Sequence, residues 1–248
     1  MRSARARRVG LLLLAGAMVL QGCNRNDPPA SQVEQAVADT VDQIEETPQP
    51  AGPYAPRDEC AEVAGASPFL EDIRSAVSAR DTAAFVALAA EDVKLDFGGG
   101  AGRDQLRNML SSDTAPLWAK LDELMTLGCA SDGDALITLP WYFAQETRAD
   151  PYRGMIVTGS GVPMHETAGE QAPVIAAVSW DVVELVDGGS EDSGFAHVRW
   201  QRRESPAGKP SVIEGYIDAK RLRSLIDYRL LAASRNGKWR ITSLIAGD

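Results

Sequence analysis

The chain is poor in histidine, cysteine and positive charge. Two His and three Cys in 248 residues are too few for a zinc ribbon or a zinc finger. Lys and Arg number 25 against 35 Asp and Glu, which leaves a net charge of -10. This balance excludes a nucleic-acid-binding protein that works by bulk phosphate neutralisation, and it disfavours general adhesion to anionic membrane surfaces. The apolar run over residues 9–20 is also too short for a membrane-crossing helix, which needs about 20 residues.

The N-terminus has the order of a secretory signal peptide. Residues 1–8 carry four Arg and no acidic residue, and the short apolar run follows directly. The next residues, Leu20-Gln21-Gly22-Cys23, resemble a bacterial lipobox, in which a small residue precedes a cysteine that becomes linked to diacylglycerol. The resemblance implies a signal peptide over residues 1–22 and a lipidated Cys23. The alternative is an ordinary signal peptide cleaved nearby, with Cys23 incidental.

Lipidation would make the membrane the first partner of this chain. Removing the four Arg of the signal peptide takes the net charge from -10 to -14, and several acyl chains anchor a protein stably where one does not. Asn24, not Asp, follows the cysteine. By resemblance to enterobacterial lipoproteins, this residue implies the outer membrane, facing the periplasm.

The remaining cysteines, Cys60 and Cys129, suggest one disulfide, because disulfides persist in exported proteins. The alternative is two buried free thiols. A catalytic cysteine is disfavoured, since no residue pattern links either thiol to His165 or His197.

Residues 23–57 are expected to form a tether, since six Pro and few large apolar residues occur there. Within it, one face of a short helix over residues 31–46 would carry Val33, Val37, Val41 and Ile44. Such a helix is marginal by itself in water.

Residues 58–152 show helices, a strand, a glycine turn and further helices in that order. Ser67-Pro68 and Asp81 are expected to start two helices, residues 93–97 alternate as a strand, and residues 98–102 form the turn. Residues 103–110 and 115–127 are expected to be helical, and residues 135–143 a central strand. Residues 67–110 resemble the opening of the nuclear-transport-factor-2-like, cystatin-like cone fold. That resemblance implies an apolar pocket lined by Phe85, Leu95, Phe97, Trp118 and Trp141.

From residue 155 onward, short β-rich runs alternate with turns. Val162-Pro163-Met164-His165, Val174-Ile175, residues 181–186, Phe195-Ala196-His197-Val198 and Gly215-Tyr216-Ile217 resemble the elements of a bacterial SH3-like domain. The resemblance covers residues 153–227 and implies a small β-barrel. Such domains often bind cell-wall peptides or dock proteins.

Two apolar runs close the chain around Asn236-Gly237, which is a strong signal for a type I′ hairpin. The hairpin is expected to return to the first module, although it could instead extend the barrel edge. The sequence therefore predicts an α+β fold class, with residues 58–152 plus 228–248 as one module and residues 153–227 as an inserted barrel.

No catalytic or metal-binding pattern stands out, and no cofactor is expected. The glycines at 98–102 lack dinucleotide and P-loop spacing, so a tight turn is the expected reading. A basic and aromatic cluster predicts a partner-binding surface, formed by Arg199, Trp200, Arg202 and Arg203 with Tyr216 nearby. A solvated loop is the alternative.

Two functions are therefore expected, and a wholly structural role, in which the tether ties membrane to wall, is a third possibility. The first is a non-enzymatic envelope lipoprotein whose SH3-like module binds a cell-wall peptide, peptidoglycan itself or an envelope protein. The second is a small-molecule-binding or degenerate enzyme pocket in the cone-like module.

Overall fold

The computed structural model describes residues 52–112, 117–133, 135–186, 193–202 and 211–247. The chain divides into two units, residues 1–47 and 48–248, and all the described residues belong to the second. The signal peptide, Cys23, the helix expected over residues 31–46 and Arg203 lie outside the described residues.

Helices of this unit lie between residues 66 and 126 and are stabilised by apolar stripes at helical spacing. Their bounds are α1 Ala66–Ala79, α2 Thr82–Leu88, α3 Arg103–Leu110 and α4 Leu117–Thr126. Asp81 caps α2 as expected, because its carboxylate accepts a hydrogen bond from the Ala84 N–H at 2.9 Å. Ser67 is not the cap of α1, which follows Gly65, and its hydroxyl instead donates to the Ala61 carbonyl.

The first sheet has five strands in the order β1-β12-β11-β3-β2. Their bounds are β1 Ala89–Lys94, β2 Ala130–Ser131, β3 Leu136–Leu139, β11 Arg229–Arg235 and β12 Lys238–Ile245. β1 pairs in parallel with β12, and the C-terminal hairpin lies between β1 and β3. Asn236 and Gly237 both have positive φ, as a type I′ turn requires. The hairpin thus returns to strands that precede residue 153.

The second sheet has seven strands in the order β10-β4-β7-β8-β9-β5-β6. Their bounds are β4 Gly154–Val157, β5 Val162–His165, β6 Val174–Val178, β7 Val182–Leu185, β8 Phe195–Arg202, β9 Ser211–Asp218 and β10 Leu222–Ser224. Short 3₁₀ turns over Trp141–Ala144 and Ala219–Arg221 precede β4 and β10 respectively. The strand order begins with β10 and ends with β6.

The prediction of an α+β fold class is wrong. Among the described residues, twelve strands in two sheets stand against four helices, so the unit is mostly β. The sequence pattern understated the sheets for two reasons. Residues 153–227 hold seven strands, and the hairpin adds two long strands to the first sheet.

Three apolar clusters hold the unit together. The largest packs the helices on the first sheet and contains Phe85, Leu106, Leu121 and Ile241, and the second lies within the seven-stranded sheet around Val198 and Ile217. The third joins the two sheets. It contains Tyr54, Leu127, Trp141, Tyr142, Ile156 and Leu225.

The disulfide expected from the sequence is present: Cys60 and Cys129 are bonded, with their Cα atoms 5.8 Å apart. The end of the expected tether is not loose, since Tyr54 is only 3% exposed and its N–H donates to the Trp180 carbonyl at 2.8 Å.

Candidate functional site

Trp200 is not exposed, which corrects the expectation from the sequence. Strand β8 turns Ala196, Val198 and Trp200 into the core of the second sheet, and Trp200 is 8% exposed. Its indole Nε1 donates to Oδ2 of Asp181 at 2.9 Å, and Oδ1 of the same carboxylate accepts from the Val182 N–H at 2.8 Å. Trp200 therefore acts as a buried support for the strand rather than as a contact for a partner.

Arg199 lies on the opposite, outer face of the same strand. It stands opposite Glu184 on β7 and Glu214 on β9 in the strand register. Its Nε lies 2.8 Å from Oε1 of Glu214, and both side chains are partly exposed. An exposed pair of this kind contributes little to stability, and the Arg199 side chain stays 40% exposed within it.

Arg202 ends β8 beside the buried tryptophan. Its guanidinium carbon lies 6.0 Å from the centroid of the Trp200 ring, which is within cation–π range. Arg203 was also expected to bind the partner, and it lies outside the described residues.

A cleft of about 550 Å³ brings Arg199 and Arg202 together. Its floor is formed by β7 and β8, and its walls are the segment after the first 3₁₀ turn and the chain around Tyr54. Its polar lining includes Glu146, Arg148, Asp181, Glu184, Arg199, Gln201 and Arg202. Arg148 had no signal in the sequence, because it is a single basic residue in an irregular segment.

The cleft is rich in opposite charges, but two of its arginines are not neutralised. Within the part of the chain that the structure describes, Arg148 and Arg202 make no ion pair with any carboxylate. Asp181 is already committed to Trp200 and Val182, and Glu184 accepts from the Asp150 N–H at 3.3 Å. Glu146 also lines the cleft, and within the described residues its carboxylate forms no ion pair with either arginine, so both guanidinium groups are open to an incoming anion.

Tyr216 lies on the same face of the seven-stranded sheet as Arg199, but it stands between the two histidines of the chain. It is the register partner of His197 on β8 and of His165 on β5. Its ring stacks on His197 with centroids 4.8 Å apart, while His165 is buried and its Nδ1 lies 2.8 Å from the Ala172 carbonyl. Tyr216 does not line the cleft with Arg199 and Arg202.

A buried ionic network links β10 to α4 and to the first 3₁₀ turn. Arg223 on β10 is 3% exposed, its Nε lies 3.0 Å from Oε1 of Glu123 on α4, and its Nη2 donates to the Tyr228 carbonyl at 2.7 Å. The same guanidinium donates to the hydroxyl of Tyr142 in the 3₁₀ turn. The segment that carries Arg148 begins just after this turn.

The pKa values of two groups in this network are shifted. Desolvation raises the pKa of Tyr142 to about 12, against the opposing effect of the Arg223 charge. For Asp227, burial alone would raise the pKa. It is outweighed by hydrogen bonds from Lys120 and the Tyr228 N–H and by the charges of Arg223 and Lys120, so the pKa of Asp227 is lowered. The Lys120 Nζ lies 2.7 Å from the Asp227 carboxylate.

The apolar pocket expected in the first module is not assembled from the residues named for it. Phe85 and Leu95 lie in the main core, with Trp118 packed edge-on to Phe85 at 5.9 Å. Phe97 is 49% exposed, and Trp141 belongs to the cluster between the sheets, where its indole donates to Glu59 at 2.7 Å. These five side chains therefore lie in three different environments and do not line one cavity.

Neither a spanning helix nor a metal cluster is found in the described residues. No helix there is long and apolar enough to cross a membrane. No group of three or more His, Cys, Asp or Glu side chains among them could hold a metal ion.

No family model matches the chain, and no curated protein matches it. Four chains of solved structures do match. One is a Xanthomonas campestris protein described as a calcium/calmodulin dependent protein kinase II association domain. It is 12% identical, and the match covers 73% of this chain and 84% of that one with a TM-score of 0.23. At that TM-score the likeness carries no argument about this protein.

Proposed function

We propose that this protein is a non-enzymatic lipoprotein of the bacterial cell envelope. Its seven-stranded sheet presents a binding site for a cell-wall peptide, within peptidoglycan, or for an envelope protein. The lipobox-like residues ending at Cys23 support the anchor, and Asn24 supports the outer membrane as its location. The resemblance of residues 153–227 to bacterial SH3-like domains supports a binding role.

The observation that carries the binding role is the cleft on β7 and β8. Its volume of about 550 Å³ falls in the usual range of ligand sites, roughly 300–1,000 Å³. It contains Arg199 and Arg202, two of the residues that the sequence predicts for partner binding. Its floor strands are paired on both sides within the sheet, so the side chains that point from them are held rigidly.

Co-sedimentation with isolated peptidoglycan sacculi tests the wall as partner. The full-length protein is compared with a variant carrying Arg199→Ser and Arg202→Ser, at low and at moderate salt. The control carries Arg74→Ser and Arg107→Ser, which removes the same charge from α1 and α3. We expect saturable binding that the cleft variant loses and the control keeps. Absence of binding at both salt concentrations, or equal loss in both variants, would contradict a wall-binding cleft.

The anchor is tested separately by labelled-palmitate incorporation. The wild-type chain should take up label in cells, and a Cys23→Ser variant should not. Equal labelling of the two would show that Cys23 is not the lipidated residue.

A further inference from the structure

We infer that the cleft recognises the carboxylate groups of an acidic peptide, and that Arg148 and Arg202 are the residues that pair with them. This inference rests on the proposed binding function and names the ligand chemistry of the same site. It also assigns a role to Arg148, which the sequence did not single out.

The arginines of the chain differ in whether they form ion pairs. Acidic residues exceed basic ones by ten in this chain, so an arginine has many possible partners. Among the described arginines, those at 74, 80, 107, 199 and 223 form ion pairs, whereas others, such as Arg103 and Arg153, donate to backbone carbonyls instead. Arg148 and Arg202 form none within the described ranges, although both line a cleft that also contains carboxylates. Two unpaired guanidinium groups in one cleft of an acidic protein point to an anionic ligand.

The most buried carboxylate of the cleft cannot readily pair with these arginines. Asp181 is 7% exposed and holds the Trp200 indole and the Val182 N–H. Glu184 accepts from the Asp150 N–H. Moving the Asp181 carboxylate to an arginine would leave the buried Trp200 donor unsatisfied, which costs about 1–3 kcal/mol. Asp181 is therefore held away from the arginines, whereas the bond of Glu184 is exposed and costs less to give up.

The side chain of Arg202 is preorganised for binding. Trp200 is fixed by burial and by its bond to Asp181, and the guanidinium of Arg202 lies over that fixed ring. An arginine held in this way loses less conformational freedom when it binds. Arg202 is therefore placed for a ligand, whereas an arginine on a loose loop would not be.

The ligand class follows from the chemistry of guanidinium. Its planar fork matches a carboxylate with two parallel hydrogen bonds, and such charge-assisted bonds are about twice as strong as neutral ones. A space of about 550 Å³ is larger than one carboxylate needs, and Tyr54 and Gln201 add surface for an extended chain. A peptide with more than one carboxylate fits both features. Wall stem peptides and acidic protein segments share this chemistry.

The direct test is calorimetric titration of the full-length protein with a synthetic acetylated peptide that carries two glutamates, beside its twin with two glutamines. We expect the glutamine peptide to bind at least about tenfold more weakly. Arg148→Gln and Arg202→Gln should each weaken the binding of the acidic peptide by a similar factor, and Arg107→Gln on α3 should leave that binding unchanged. Equal binding of the twin peptides, no binding of the acidic one, or insensitivity to both cleft variants would overturn the inference.

A second experiment identifies where the carboxylates come from, and it tests wall binding separately from carboxylate recognition. Sacculi are used with their carboxyl groups intact or converted to amides. Loss of binding on amidation supports the inference and assigns the ligand to the wall. If native and amidated sacculi bind equally, wall binding stands and carboxylate recognition falls. If sacculi do not bind but the acidic peptide does, carboxylate recognition stands and the partner is an acidic protein segment.

Discussion

Replacing Arg223 by Met should destabilise the protein by about 3 kcal/mol. The Arg223 side chain is 2% exposed and spans from β10 to α4 and to the 3₁₀ turn. Removing one partner of a buried ion pair costs about 3–5 kcal/mol, because it leaves an uncompensated charge. The carboxylate of Glu123 is 33% exposed and lies 3.7 Å from the Lys120 Nζ, so water and Lys120 compensate it in part. The expected loss therefore lies at the lower end of that range.

Urea unfolding followed by circular dichroism measures this loss. The two sheets belong to one compact unit, so we expect a single transition whose midpoint moves in Arg223→Met without a change in slope. The matched control is Arg107→Met, which breaks an exposed pair with Asp104 and should cost less than about 1 kcal/mol. A loss below about 1 kcal/mol in Arg223→Met, or an equal loss in the control, would refute the reasoning.

Three further predictions concern stability. Changing both Cys60 and Cys129 to Ser opens a loop with a sequence separation of 69, so the free energy of unfolding should fall by about 4 kcal/mol on the chain-entropy model, as urea titration would measure. Burial raises the pKa of Tyr142 from 10.0 to about 12. The stability that depends on its neutral hydroxyl is therefore fully present below pH 10 and is lost, by about 3 kcal/mol, as pH rises towards 12. Tyr142→Phe should flatten this pH dependence of the free energy of unfolding in urea titrations. Trp200→Phe deprives Asp181 of one donor and should cost about 1–3 kcal/mol; an unchanged melting temperature would contradict the role given to that bond.

Local signals in the sequence predicted several elements correctly, because the cause of each lies in adjacent residues. The Asn236-Gly237 turn, the Asp81 cap and α3 over Arg103–Leu110 are examples. The cysteine pair was also predictable, since Cys60 and Cys129 allow a single pairing once Cys23 is set aside.

Non-local causes explain what the sequence did not predict. The strand expected over residues 93–97 is instead β1 at Ala89–Lys94. Its bounds depend on pairing with the parallel strand β12, which comes nearly 150 residues later in the chain. The strand expected over residues 135–143 ends at Leu139, where Pro140 and a 3₁₀ turn follow. The fold class was misjudged for the same reason, since the extent of two sheets depends on pairings between distant segments.

The candidate site shows the same division. Arg199 and Arg202 were predictable as part of a basic cluster, but the phase of β8 was not, because FAHVRW alternates equally well either way. Only the partner strands show that Trp200 faces the core and Arg199 faces out. Arg148 reaches the cleft through tertiary packing beside the buried turn at Tyr142, which no local pattern encodes.

Photo-crosslinking in intact cells tests most directly whether the cleft is the binding site. A photoreactive residue replaces the exposed Gln201 in the cleft or, as control, the exposed Glu71 on α1. We predict an adduct with a wall fragment or an envelope protein at position 201 that is absent at position 71 and is lost when Arg148→Gln is added. Equal adducts at both positions, or an adduct at 201 that persists without Arg148, would contradict the account.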